Sequence, residues 1–136
     1  MNYLLDTNAC IALINGSPRS VRRRLDQALD DGASAAVSTV AAFELWYGAA
    51  KSARAQANRQ RLETFFAAPL ELLPFDDGDA RLAGEVRAAL EAAGTPIGAY
   101  DLLIAGQARR HDATLVTANG SEFSRVAGLR MEDWAS

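Results

Sequence analysis

Short apolar runs of strand length alternate along this chain with longer stretches of helical periodicity. That alternation predicts an α/β fold with three layers, a central, mostly parallel sheet of about four to five strands flanked by helices. Two further observations agree with it. The runs Tyr3-Leu4-Leu5, Ala35-Ala36-Val37-Ser38 and Thr114-Leu115-Val116-Thr117 read as buried strands. A chain of 136 residues that is 49% hydrophobic and 23% charged is large enough to build a core without staples. It shows no repeat, low-complexity stretch or linker, so residues 1–136 are expected to form one domain.

The elements follow in order. Tyr3-Leu4-Leu5 ends at Asp6, and Thr7-Asn8 opens a short helix that Asn15-Gly16 stops. Ser17-Pro18 resembles an N-cap followed by proline at the first helical position. Val21, Leu25 and Leu29 then recur every four residues as one apolar stripe, which Asp30-Asp31-Gly32 terminates. After the second strand, Ser38 or Thr39 caps a helix to about Ala50. Another helix covers roughly Arg54 to Ala68, with Leu62, Phe65 and Phe66 inward, and Pro69 ends it. Leu70 to Leu73 form a third strand bounded by Pro74. Asp76 or Asp77 caps a helix carrying Leu82, Val86, Leu90 and Ala93, closed by Gly94 and Pro96. A helix over about Ala99 to Arg110 precedes the fourth strand, and a weaker fifth strand is expected around Leu129 to Met131. Cys10, Trp46, Tyr47, Phe65 and Phe66 are read mainly as core, with some of the aromatics able to line a groove for a partner helix, and His111 as a loop residue before a strand.

Composition excludes several function classes. No apolar run approaches the ~20 residues a bilayer span requires. The N-terminus has no basic stretch and meets a charge at Asp6, so no signal peptide is expected. One cysteine leaves no internal disulfide framework and fits the reducing cytoplasm, and one histidine excludes a His-based zinc cluster. A net charge of −3 argues at first against a nucleic-acid partner. The charges are sorted, however. Arg19, Arg22, Arg23 and Arg24 fall in one short stretch, and Lys51, Arg54, Arg59 and Arg61 form a second group. Both could contact phosphate, or simply be solvated helix faces with pairs such as Arg22 and Asp26.

Ligands of an open parallel sheet gather at the carboxyl ends of its strands. There the sequence places Asp6 after the first strand, Glu44 in the helix after the second, and Asp101 in the first turn of the helix after Gly98. Asn119 and Glu122 follow the fourth strand. Each has an ordinary explanation alone, as a cap, a solvated face, a first-turn acid or a turn. Together they suggest carboxylates whose repulsion a cation relieves. With only oxygen donors on offer, that ion is Mg²⁺ or Mn²⁺, and the chemistry it fits is phosphodiester hydrolysis by activated water.

Four motifs carry a family resemblance: Leu4-Leu5-Asp6-Thr7-Asn8, Glu44 after a Ser-containing strand, Pro96-Ile97-Gly98-x-x-Asp101-x-x-Ile104-Ala105, and Thr117-x-Asn119-x-x-Glu122-Phe123. In this order, and with the closing Glu132-Asp133-Trp134, they resemble the PIN-domain family along essentially the whole chain. Within it the chain is most similar to the VapC-type ribonuclease toxins of toxin–antitoxin modules. The resemblance implies an Mg²⁺- or Mn²⁺-dependent endoribonuclease inhibited by a cognate VapB-type antitoxin. Its substrate would be a structured RNA such as a tRNA anticodon stem-loop, with initiator tRNA the leading candidate. It implies a cytoplasmic homodimer that forms a heterotetramer or larger assembly with the antitoxin.

Residue by residue, Asp6, Glu44 and Asp101 match the family's acidic triad. Asp6 and Asp101 would hold the metal, with Glu44 as ligand or water-orienting base. Many members carry a fourth Asp where this chain has Asn119, so Asn119 and Glu122 are expected to serve an outer shell or a second ion. Thr7, Asn8 and Thr117 would support the acidic site through hydrogen bonds, and Arg19, Arg22, Arg23 and Arg24 would contact RNA. An aspartyl phosphatase is excluded because its Asp-x-Asp would need an acid at Asn8. A receiver domain needs a lysine after a late strand, where Lys51, the sole lysine, does not lie. A PIN-like protein that binds RNA or antitoxin without cutting stays open.

Overall fold

Every strand pairing in the computed structural model, which describes residues 1–67 and 69–136, is parallel. The elements run β1 (Tyr3–Leu5), α1 (Thr7–Asn15), α2 (Arg19–Asp30), β2 (Ala35–Ser38), α3 (Thr39–Lys51), α4 (Ala55–Phe66) and β3 (Glu71–Leu73). Then come α5 (Asp77–Ala92), α6 (Ala99–Arg110), β4 (Thr114–Val116), α7 (Gly120–Phe123) and β5 (Met131–Glu132). The five strands lie in the order β3-β2-β1-β4-β5. The chain therefore steps outward from β1 to β3, then crosses to the other side of β1. Right-handed crossovers put the helices of the two halves on opposite faces of the sheet. The strand order reverses between β1 and β4, and a cleft opens at such a switch point beyond the carboxyl ends of the strands.

Burial follows from that layering. Leu4, Leu5, Ala36, Val37, Leu115 and Val116 have almost no exposure, because helices cover both sides of the central strands. Edge strand β3 is largely exposed, by contrast. Gly16 ends α1 in the left-handed conformation (φ 70°) that glycine adopts without strain. Gly106 lets α6 approach α5 closely: a Cβ there would lie 2.7 Å from the Ala83 Cα.

Several expectations need correction. Helix α2 begins one residue later than the Ser17-Pro18 reading, with Pro18 at the N-cap and no side-chain cap bond. The expected extension of α4 to Ala68 falls outside the described residues. The inward stripe of α5 is Asp79, Ala83, Val86 and Leu90, while Leu82 is half-buried and Ala93 exposed. Trp46 and Tyr47 are not core: they are 37% and 57% exposed, because α3 turns Ala41, Ala42, Leu45 and Ala49 inward instead. His111 is, as expected, a turn residue between α6 and β4; it caps α6, and its Nε2 lies 3.3 Å from the buried Asp79. Cys10 is core, as expected, and burial pushes its thiol pKa up.

Candidate active site

Asp6 is the first residue past β1, and its amide donates to the Val116 carbonyl (3.1 Å), tying the ends of β1 and β4 together. Its Oδ1 accepts from the Ala9 amide at 2.8 Å, so it caps α1. It does more than cap. The side chain is buried (3% exposed) beside other acids, and its pKa is raised, mainly by burial and also by Glu44. The Thr117 hydroxyl and the Ala9 and Asn8 amides oppose that rise by hydrogen bonding to the carboxylate. Asn8 thus supports Asp6 through its backbone, while its side chain is exposed.

Glu44 projects from α3 half-buried, not solvated, and its Oε1 accepts from Thr7 Oγ1 at 2.8 Å. Thr7 thereby joins the N-terminus of α1 to the middle of α3. Asp101 sits in the first turn of α6, where its pKa is raised to about 6. Burial is the largest cause, followed by the charges of Glu122, Glu44 and Asp6 and by a hydrogen bond shared with the Glu122 carboxylate. Four acids from four separate parts of the chain therefore share one electrostatic neighbourhood at the carboxyl edge of the sheet.

Glu122 follows the other pattern. Its Oε1 accepts from the Gly98 amide (2.9 Å) and its Oε2 from Asn119 Nδ2 (2.8 Å), which hold its pKa below the ordinary glutamate range. Asn119 is oriented in turn by its own amide, which donates to Thr117 Oγ1 at 2.9 Å. Both Glu122 oxygens are engaged, and Asn119 directs its amide group at Glu122.

The donor set consists of carboxylates, hydroxyls and an amide, which suits a hard divalent cation and offers nothing to a thiophilic one. Every charged group that bears on Asp101 is itself acidic, so a cation would relieve a real repulsion. Among the described residues, no three acid, His or Cys side chains already converge as a closed metal cage. That geometry still fits Mg²⁺, which keeps several waters and binds through one or two carboxylates. Asp6 and Asp101 are carboxylates that could hold it.

A groove of about 270 Å³ opens at Thr7 and Glu44 and continues between α1, α3 and α4. Ile11, Ile14, Leu45 and Leu62 give it apolar walls, with Arg61 and Asn58 as polar points. Arg61 donates to the Ile14 carbonyl and to Asn15 Oδ1, both at 3.1 Å. Arg19, Arg22 and Arg23 are exposed on α2 and line a separate shallow face with Asp26 and Asp30. Arg24 differs from them. It pairs with Glu132 at 3.4 Å, donates to the Asp133 carbonyl and lies over the Trp134 ring. Its geometry is that of a strap on the C-terminal segment.

Sequence reasoning missed two features. Phe43, Tyr47 and Tyr100 form an exposed aromatic face, with the Phe43 and Tyr100 rings 5.6 Å apart, each next in sequence to an acid of the cleft. The second is the buried carboxylate of Asp79, bonded to the Asp76 amide, Gln107 Nε2 and Arg110. The spacing Asp76-x-x-Asp79 was its available signal, since an acid three residues past an N-cap marks a capping box.

Comparison with known proteins gives one answer. The PIN domain matches residues 3–129. A tRNA(fMet)-specific endonuclease VapC of Shigella flexneri is 41% identical over 135 residues, covering 99% of each chain. Ribonuclease VapC2 of Rickettsia felis is 40% identical over 134 residues, covering 98% of each. Among solved structures, VapBC2 of Rickettsia felis bound to a DNA fragment from its promoter superposes with a TM-score of 0.92 at 38% identity, covering 98% of this chain and 99% of that one. A DNA-bound VapBC of Salmonella typhimurium gives a TM-score of 0.91 at 38% identity, covering 98% of both.

Proposed function

This chain belongs to the PIN-domain family, and from that premise we propose that it is an endoribonuclease toxin of a VapBC-type toxin–antitoxin module. In this reading residues 1–136 act as a single domain that hydrolyses RNA phosphodiester bonds with the help of Mg²⁺ or Mn²⁺. The observation that carries it is the meeting of Asp6, Glu44, Asp101 and Glu122 at the switch point of a parallel sheet, with Asp101 facing only other acids. A degenerate site in a protein that merely binds would have no need to keep a cluster this costly.

When bound, the divalent cation stabilises charge on the phosphate oxygens and makes water a better nucleophile. The chain's own residues do the rest. Asp6 is immobilised by the Ala9 amide and the Thr117 hydroxyl, and Asp101 is presented by the first turn of α6. Glu44 keeps one oxygen bonded to Thr7, which leaves the other to orient the attacking water and accept its proton. Exposed Arg19, Arg22 and Arg23 supply phosphate contacts outside the cleft.

The substrate we assign is tRNA, with the initiator tRNA(fMet) named for the Shigella flexneri relative as first choice and its anticodon stem-loop as the site of cutting. The partner is a VapB-type antitoxin. A segment with apolar side chains would fill the groove between α1, α3 and α4, and a basic residue at its end would reach the acidic cleft at Glu44. The exposed rings of Phe43, Tyr47 and Tyr100 supply an apolar face for a homodimer. No helix among the described residues is long and apolar enough to cross a membrane.

The test incubates purified, antitoxin-free protein with a tRNA pool and Mg²⁺ or Mn²⁺, alongside EDTA and Asp6→Ala controls. Discrete cleavage that both controls abolish supports the proposal. Cleavage that survives both, or no cleavage in either metal, removes it.

A further inference from the structure

Helices α5 and α6 both carry an aspartate three residues past the N-cap, the position from which an acid can reach back to the N-cap amide. In α5 this happens: the Asp76 amide donates to Asp79 Oδ2 at 3.0 Å. In α6 the equivalent amide, that of Gly98, donates to Glu122 Oε1, from 24 residues further along the chain. The Asp101 carboxylate is nevertheless within reach of that turn. A Cβ placed on Gly98 would lie 3.5 Å from Asp101 Oδ2 and 3.7 Å from Glu122 Oε1. Two acids therefore stand beside one donor, and Glu122 holds it.

We propose that Glu122, aimed by Asn119, is a positioning residue that occupies the α6 N-cap amide, keeping Asp101 out of a capping box and presenting it to the reaction. This rests on Asp101 being a site residue, as proposed above. Asn119 fits the role better than an aspartate would. Its Nδ2 donates to Glu122 Oε2, whereas a carboxylate there would repel Glu122. Arg125, which donates to the Pro96 carbonyl at 2.9 Å, holds the end of α7 against the same turn, and its charge favours the ionised Glu122.

Three variants test this, each assayed for tRNA cleavage and, separately, for Mn²⁺ binding by electron paramagnetic resonance. Glu122→Ala frees the Gly98 amide, Asp101 falls back into a capping box, and cleavage drops about 10²-fold, as expected for a misplaced reacting group. Mn²⁺ affinity falls with it. Glu122→Gln keeps an oxygen for Gly98, and Asn119 satisfies the new amide by turning its own carbonyl toward it. This variant keeps at least about fivefold more cleavage and Mn²⁺ affinity than Glu122→Ala. Adding Gly98→Pro to Glu122→Ala deletes the amide altogether, at a backbone angle (φ −56°) that proline accepts. Asp101 then has nothing to cap, and cleavage recovers at least about tenfold.

A Glu122→Gln variant as damaged as Glu122→Ala would overturn the proposal, because the charge and not the bond would then matter. A proline variant that folds without recovery would also overturn it, and if it fails to fold, the Gln and Ala variants decide. Parent protein that cuts RNA as well as its Glu122→Ala variant sinks this inference alone, whereas parent protein that neither cuts RNA nor binds Mn²⁺ sinks the proposed function.

Discussion

Asp79 and Asp101 have the same side chain at the same helical position in two helices packed against each other, yet their surroundings are opposite. Asp79 is fully buried, and its oxygens are matched by the Asp76 amide, Gln107 and Arg110. It joins the start of α5 to the end of α6, where a negative charge meets the favourable pole of one helix and cations meet that of the other. Asp101 has its cap donor taken by Glu122 and only acids for company. A carboxylate with every partner in place stabilises the fold. One whose partners are all acids destabilises it slightly and is left available for chemistry. The comparison teaches that helical position alone does not decide an aspartate's role. The decision comes from a residue elsewhere in the chain that either completes or removes its hydrogen bonds.

The largest effect should come from Asp101→Asn. It is expected to lower RNA cleavage by about 10³-fold, equivalent to roughly 4 kcal/mol of barrier, while leaving the urea midpoint unchanged or raised. Loss of both activity and stability would end the contrast. Asp79→Asn should show the reverse. Orphaning a buried network costs about 3 kcal/mol in urea unfolding, and the folded fraction should retain cleavage.

The sheet, α1, α3 and α6 were legible in the sequence because their signals are local: apolar runs, caps, and a glycine past a helix end. So was the set Asp6, Glu44 and Asp101, since each follows a strand end or helix start that could be located. What escaped depends on residues far apart. The burial of Asp79 requires Gln107 and Arg110 from the next helix, and the Gly98–Glu122 bond joins segments that only the sheet brings together. Periodicity shows which residues of α3 share a face, but not whether another element covers it. Trp46 and Tyr47 were therefore read as core although they face outward.

A smaller effect is the pH dependence of the metal-free protein. Asp101 has a native pKa near 6 against an ordinary 3.8, so between those values the native state binds more protons than the unfolded one. Its contribution therefore makes stability fall as pH rises from about 4 to about 6 and level off above that. Asp6, also raised, has the same sign; Glu122 and Asp76, both depressed, lose their stabilisation only as pH falls through the low carboxylate range. Urea midpoints across this window should show a slope that Asp101→Asn flattens and Asp79→Asn leaves in place. The smallest effect is expected for Arg81→Ala on the outer face of α5. Its pair with Asp77 is exposed at both ends, so neither the urea midpoint nor cleavage should change measurably.

The central place of β1 has a consequence for how the protein is made. The first strand to leave the ribosome pairs on one side with β2 but on the other with β4, whose last residue is Val116. Until that stretch emerges, the strand has an open edge, Asp6 lacks Thr117, and Glu122 has not arrived to hold Gly98. A nascent or prematurely terminated chain therefore has no assembled cleft. For a proposed toxin that attacks the translation machinery, competence would arrive only in the last stage of its own synthesis, leaving the earlier stages harmless to the ribosome producing it.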